Sequence, residues 1–357
     1  MTDLLTRLSR DRLARGEEPL SPEALREAVE RGPDELERVA LAYALGLGTP
    51  RYTLETMAAL AGLDVDTAAR LWMALGFARP EPGTAVFTDG DLHALREMRG
   101  VLDEEQLDGA DVLQLARLVG QSLARVSDAA VGVLAHGVRD DGGDGEVDDP
   151  TELAVRLAAA AGSPSMESMD RLLLFTWKRH LGAAIRRVAV RQAGSSDTTV
   201  CVGFADITGF TEISERLDSR ALGEFLDRFH AAADAAVVPQ GGRIVKTLGD
   251  EIMFVTDAPE HGLEIARRLA GGFEAPGGPA RLHVGVAFGP ALSRDGDFYG
   301  TTVNVAKRLT EAARPGCALV DAGLVEALEE AARVDLAGPV EVGAIADAWQ
   351  AGPLVAS

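Results

Sequence analysis

The sequence predicts an α+β protein, an all-α N-terminal part followed by a mixed sheet with helices packed on it. Three observations carry this. Up to about residue 160, Ala, Leu, Glu and Arg recur at helical spacing between short Pro/Gly turns. From 198 onward, apolar strand-like runs alternate with amphipathic stretches. Between them lies one long helical stretch that ends at AGSSD, Ala193–Asp197, where the composition changes abruptly. The parts read as 1–164 for a helical domain, 165–197 for a connector helix and linker, and 198–357 for the sheet domain.

Bulk properties fit two soluble domains. A chain of 357 residues exceeds one ordinary domain, and 46% hydrophobic with 25% charged residues is globular. The start, MTDLLTRLSRDRLARG, places charges where a signal peptide needs an apolar core. No apolar run is long enough for a bilayer, so membrane insertion is not expected. Cys201 and Cys317 stand in unrelated contexts and read as reduced thiols of a cytoplasmic protein. A net charge of -21 argues against a nucleic-acid partner. An anionic substrate would need metal ions or a local basic pocket.

Along the helical part, Arg51 to Phe77 reads as two short helices around Gly62. Val86 to Met98 adds a helix capped by Thr88 or Asp89. This pattern resembles the helix-turn-helix of MerR-type regulators. The candidate recognition helix, DVDTAARLWMAL, carries one arginine and two aspartates, which favours a plain helical bundle. Val138 to Glu152 half-matches a calcium loop, but Gly142 and Thr151 stand where ligands are required, so a solvated acidic loop is expected. From Met166 to about Ala193, Leu174, Trp177, Leu181, Ile185 and Val188 form one apolar stripe, flanked by Lys178, Arg179, Arg186, Arg187 and Arg191.

The sheet part begins with strand TVCVGFAD, followed by helices from Thr211 to Val238 and a hairpin from Arg243 to Thr256. A helix from Pro259 to Phe273, strand ARLHVGVAFG, a loop, helix TVNVAKRLTEAA, strand CALVD and helix AGLVEALEEAA complete it. Asp206 and Asp250 each end an apolar run close to a glycine. If the two strands are neighbours, the carboxylates converge and require a cation between them. Hard divalent ions, Mg²⁺ or Mn²⁺, suit such oxygen ligands and phosphate substrates. Taken singly, each aspartate equally fits a turn cap. GDFYGTTVNVAKRL adds Asp297 in a Gly-flanked loop, with Asn304 and Arg308 one helical turn apart. A guanidinium there can bind phosphate oxygens in bidentate fashion.

These residues carry a family resemblance. From about Thr198 to Asp321, the pieces FADITGF, KTLGDEIMF and GDFYGTTVNVAKRL resemble the catalytic domain of class III nucleotide cyclases. The resemblance implies a ferredoxin-like palm fold, catalysis as a homodimer, and conversion of ATP to cyclic AMP and pyrophosphate with two divalent cations. It assigns metal binding to Asp206, Asp250 and the backbone carbonyl of Ile207, adenine selection to Lys246 and Asp297, ribose orientation to Asn304, and transition-state stabilisation to Arg308. Lys246 can only donate and ionised Asp297 only accept, which matches adenine and mismatches guanine. Lys246 and Asp250 are roughly 13 Å apart if extended, so spacing leaves open whether one chain completes the site. The resemblance places the aspartates of one chain opposite the other four residues of its partner.

Two further expectations follow. Many family members hold the triphosphate with a basic residue near the C-terminus. Leu336 to Gly352 has no Lys or Arg and carries Glu341 and Asp347, so either triphosphate binding is weaker or Arg294 or Lys307 supplies it. A catalytically weak or inactive homologue, acting as a signalling or binding module, is the alternative. A diguanylate cyclase has no place for Asp297, Asn304 and Arg308. YTLETMAALAG, RLWMALGF, VFTDGDLHALREM and FTWKRHLGAAIRR resemble the helical regulatory domain of pH-responsive actinobacterial-type cyclases. That implies an inhibitory domain; His180, beside Arg179, is a candidate pH-sensing residue and equally fits a solvated or packed helix histidine with no regulatory role.

Overall fold

The computed structural model describes residues 51–104, 108–141, 164–190, 197–329, 336–342 and 345–351, with isolated positions elsewhere. Most of the first fifty residues, and the half-matched calcium loop from 142 onward, lie outside them. The chain divides into two compact units, Met1–Gln192 and Ala193–Ser357.

In the first unit, helix α1 (Leu54–Ala61) starts where Thr53 accepts from the Thr56 N–H. It ends at Gly62, left-handed at φ 73°, a conformation that a Cβ would strain. Helix α2 (Val65–Ala74) is capped by Asp64. Helix α3 (Asp89–Leu102) starts with a reciprocal capping box between Thr88 and Asp91, which makes Thr88 the cap. Met57, Leu71, Phe87, Leu92 and Leu95 form the core of this unit. Arg96 and Arg99 reach from α3 to the last carbonyls of α1, at Leu60 and Ala61. The long helices α4 (Gly109–Asp141) and α5 (Pro164–Val190) follow. The predicted stripe of α5, Leu174 through Val188, is exposed.

The second unit is built on one sheet. Its strands are β1 (Asp197–Ile207), β2 (Arg243–Leu248), β3 (Glu251–Thr256), β6 (Leu282–Arg294), β7 (Asp297–Tyr299), β8 (Cys317–Val320), β9 (Leu336–Val342) and β10 (Ile345–Ala351). The order is β2-β3-β1-β6-β8-β10-β9, with β7 paired to β6. Strands β1, β2, β3 and β6, with the helices that separate them, make the βαββαβ arrangement of a ferredoxin-like palm. Helices α7 (Ser219–Val237) and α8 (Pro259–Ala270) bring Phe225, Phe229, Ile265 and Leu269 onto Ile252 and Phe254. Helix α9 (Thr301–Ala312) covers the other face with Ala306, against Val202, Phe204 and Met253. The run IMFV of β3 is therefore buried on both faces, which is why it reads as continuously apolar. At Gly285 a Cβ would stand 2.2 Å from the Thr310 nitrogen and 2.5 Å from the Ala306 carbonyl. Only glycine lets α9 sit this close to β6.

Three elements differ from expectation. β6 runs on to Arg294, past the loop expected after Gly289. A small hairpin, β4 (Phe273–Ala275) with β5 (Gly278–Ala280), follows α8. The C-terminal segment expected only as an acidic stretch forms β9 and β10. Helix α6 (Phe210–Arg216) precedes α7, and α10 (Ala322–Ala327), capped by Asp321, follows β8.

Candidate active site

One edge of the site lies where β1 ends beside the β2–β3 hairpin. The hairpin turns through Gly249 and Asp250, with Gly249 at φ 68°, the backbone its first turn position requires. The Ile207 N–H donates to the Asp250 carbonyl at 3.2 Å, pinning the two turns together. The Asp206 and Asp250 carboxyl groups lie close enough for their charges to interact. Burial first, then the charges of Asp250 and Glu251, push the Asp206 carboxyl up to about 6, with Lys307 opposing them. Two oxygen donors that repel each other in a partly desolvated rim suit a hard divalent cation.

Glu251 is the cross-strand neighbour of Asp206 and shares its face of the sheet. Its carboxylate is taken by Lys307, 2.6 Å away from α9. Among the described residues no group of three or more His, Cys, Asp or Glu side chains is arranged to hold a metal ion.

The second edge is the Lys246–Asp297 pair, Nζ to Oδ2 at 2.6 Å. A β-bulge between Ile244 and Lys246 sets Lys246 opposite Met253, on the α9 face of the sheet. Asp297 does not sit in a loop as the sequence suggested. It opens β7 after a two-residue turn through Asp295 and Gly296, at φ 56° and 78°. Asp-Gly favours such a turn because both residues tolerate positive φ. The Phe298 N–H donates to Asp297 Oδ1 at 2.8 Å, fixing the carboxylate plane. Arg243 lies 5.1 Å over the Phe298 ring.

Asn304 and Arg308 project from α9, one turn apart, and both are exposed. The Ile207 side chain is buried. His180 is exposed on α5, in the other unit. The two cations expected to serve the triphosphate are engaged within this chain: Lys307 with Glu251 at 2.6 Å and Arg294 with Asp295 at 3.7 Å. Sequence reasoning gave Glu251 no role beyond its place beside Asp250, although the doubled acid in LGDEI was the available signal.

A ferredoxin-like palm with paired carboxylates at one strand end, and a part-buried Lys–Asp pair on the neighbouring hairpins, is the architecture of a nucleotide cyclase catalytic domain. Residues 193–350 match the adenylate and guanylate cyclase catalytic domain. An adenylate cyclase of Streptomyces coelicolor is 33% identical over 88% of this chain and 81% of its own length. One of Streptomyces griseus is 34% identical over 80% of this chain and 70% of its own. A pH-sensitive adenylate cyclase of Mycobacterium tuberculosis is 30% identical over 77% and 69%. The solved adenylyl cyclase CyaB from P. aeruginosa covers 45% of this chain and 95% of its own, at 22% identity and a TM-score of 0.36. The chain belongs to the class III adenylate cyclase family. No helix among the described residues is long and apolar enough to cross a membrane.

Proposed function

We propose that this chain converts ATP to 3′,5′-cyclic AMP and pyrophosphate as a homodimer, with two divalent cations, Mg²⁺ or Mn²⁺, at each centre. The observation that carries this reading is the Lys246–Asp297 pair at 2.6 Å. One partner only donates and the other only accepts, the complement of adenine N1 and its 6-amino group. Guanine would leave both groups facing their own kind, which is costly in a part-buried site.

Asp206 and Asp250, with the Ile207 carbonyl, would hold the cations. When bound, such ions lower the pKa of a ribose hydroxyl and offset phosphate charge. The 3′-hydroxyl gives its proton to water or a substrate phosphate oxygen, its oxygen attacks the α-phosphorus in line, and the bond to pyrophosphate breaks. Asn304 holds the ribose so that this oxygen is aimed. Arg308 offsets charge building on the phosphoryl oxygens. The exposure of Asn304 and Arg308, on a helix whose Lys307 is spent on Glu251, supports a site completed by a second copy. In a two-fold dimer the aspartates of one protomer then meet Lys246, Asp297, Asn304 and Arg308 of the other. The helical unit restrains the enzyme in a pH-dependent way, with His180 as the candidate sensor.

The test is to incubate the full-length chain with ATP or GTP, and Mg²⁺ or Mn²⁺, from mildly acidic to mildly alkaline pH. Cyclic AMP should form, and the GTP product should be minor. A preference for GTP would sink the reading of the Lys–Asp pair. No product under any condition would favour the weak-homologue alternative, whose support is the absence of Lys and Arg from β9 and β10. A pH–activity profile unchanged in His180→Ala would remove the sensor.

A further inference from the structure

We infer that Lys307 and Glu251 are a positioning pair, whose role is to withhold a third carboxylate from the metal edge. This rests on the reading of Asp206 and Asp250 as metal ligands. Three strands of geometry support it. Register puts Glu251 directly across from Asp206, and sequence puts it next to Asp250, so three acids share one corner. Glu251 is among the few charged or polar residues buried in the sheet unit, at 7% exposure. Lys307 reaches it from α9 at 2.6 Å, with its ammonium 5.8 Å from the centre of the Phe204 ring on the same face.

A buried carboxylate without its partner seeks the nearest cation. Next to Asp206, that cation would be the metal. With Lys307 in place, Glu251 is already neutralised, the ions meet two carboxylates, and coordination positions stay open for phosphate oxygens. Lys307 also ties α9 to the start of β3. The helix bearing Asn304 and Arg308 is thereby fixed against the strand that follows Asp250, although in the proposed dimer these residues serve different centres. Lys307 is therefore a positioning residue and no phosphate ligand of its own protomer.

The test is Mn²⁺ binding to full-length protein, followed by electron paramagnetic resonance, with Mn²⁺ alone and with 2′,3′-dideoxy-ATP, which lacks the attacking hydroxyl. Lys307→Met removes the charge and keeps the apolar stem. It should tighten Mn²⁺ binding about threefold to tenfold, as an unneutralised charge several ångströms away would at a solvent-screened rim with a water-like dielectric of about 80, and should lower kcat more than it changes KM for ATP. Glu251→Gln leaves Lys307 unpaired and should weaken Mn²⁺ binding by a similar factor. The double variant should return the Mn²⁺ dissociation constant to near that of the parent. Packing damage alone would move both single variants in the same direction. The same direction, or no change in either, overturns the inference. Asp250→Asn is the control: if it leaves Mn²⁺ binding intact, the metal reading itself fails and the pair's role fails with it.

Discussion

The sheet unit and the helical unit treat their apolar surface in opposite ways. Strand β3 is buried along its whole length, with Ile252, Met253 and Phe254 fully enclosed. Helix α5 leaves Leu174, Trp177, Ile185 and Val188 more than half exposed. In the sheet unit, packing on two faces fixes where each turn stops, so charged groups can be held against one another at 2.6 Å. In α5 the helix is set by propensity and spacing, and its apolar stripe stays exposed. Single substitutions therefore act on chemistry and packing in the sheet unit and on backbone propensity in α5.

The largest effect is expected at the metal edge. Asp250→Asn removes half of the two-carboxylate set and should cost several kcal/mol of transition-state stabilisation, on the order of 10³-fold in rate. Turnover of ATP at saturating Mn²⁺ checks it. A variant within tenfold of the parent would mean that the strand end does not hold the ions.

Next comes base selection. Reversing the polarity of the second edge with Lys246→Glu and Asp297→Lys keeps the ion pair and inverts its donor and acceptor. The ratio of kcat/KM for ATP over GTP should fall about 10²-fold or more. Competition assays read that ratio directly. An active double variant with an unaltered ratio would show that the pair is a structural brace and nothing else.

These two edges also mark what the sequence could and could not convey. That Asp206 and Asp250 stand at strand ends was legible, because each closes an apolar run close to a glycine; taken singly each also fits a turn cap, and the family resemblance alone singled them out as metal-ligand candidates. The strand that carries Asp297 was not legible, because β7 is three residues long and polar Ser293 and Arg294 precede its turn. The Lys307–Glu251 contact spans 56 positions, and nothing local in LGDEI names its partner. β9 and β10 are punctuated by Gly338, Pro339 and Gly343, which read as breaks when no neighbouring strand is in view. In α5, spacing revealed one apolar face and could not say what covers it.

Glycine substitutions compare the two units most directly. Gly285→Ala drives a methyl into the backbone of α9, against Ala306 and Thr310. It should cost about 1–3 kcal/mol and displace the helix bearing Asn304 and Arg308, so activity should fall with stability. Gly182→Ala, in α5, adds a Cβ that meets nothing within 4 Å. It should stabilise the helix by roughly 0.5–1 kcal/mol. Urea unfolding of both variants decides the matter. Equal effects of the same sign would erase the contrast between the units.

An effect of similar small size is a pH-dependent one. The Asp206 carboxyl rises from 3.8 to about 6, first through burial and then through Asp250 and Glu251. Between about pH 4 and 6 the folded protein keeps a proton that the unfolded chain has lost, so this contribution to stability is complete below that window and lost as pH rises through it. Asp206 is only partly buried, and solvent screening reduces the nominal penalty to about 1 kcal/mol. In a chelator, Asp206→Asn should therefore match the parent near pH 4 and exceed it by about 1 kcal/mol at pH 7. Thermal unfolding at the two pH values measures the difference. Adding Mn²⁺ at pH 7 should favour the parent, because a cation between the carboxylates offsets the repulsion that the substitution removes. A variant less stable than the parent at pH 7 without metal would mean that Asp206 is held by favourable contacts, and that the corner does not store the charge repulsion a cation is needed to relieve.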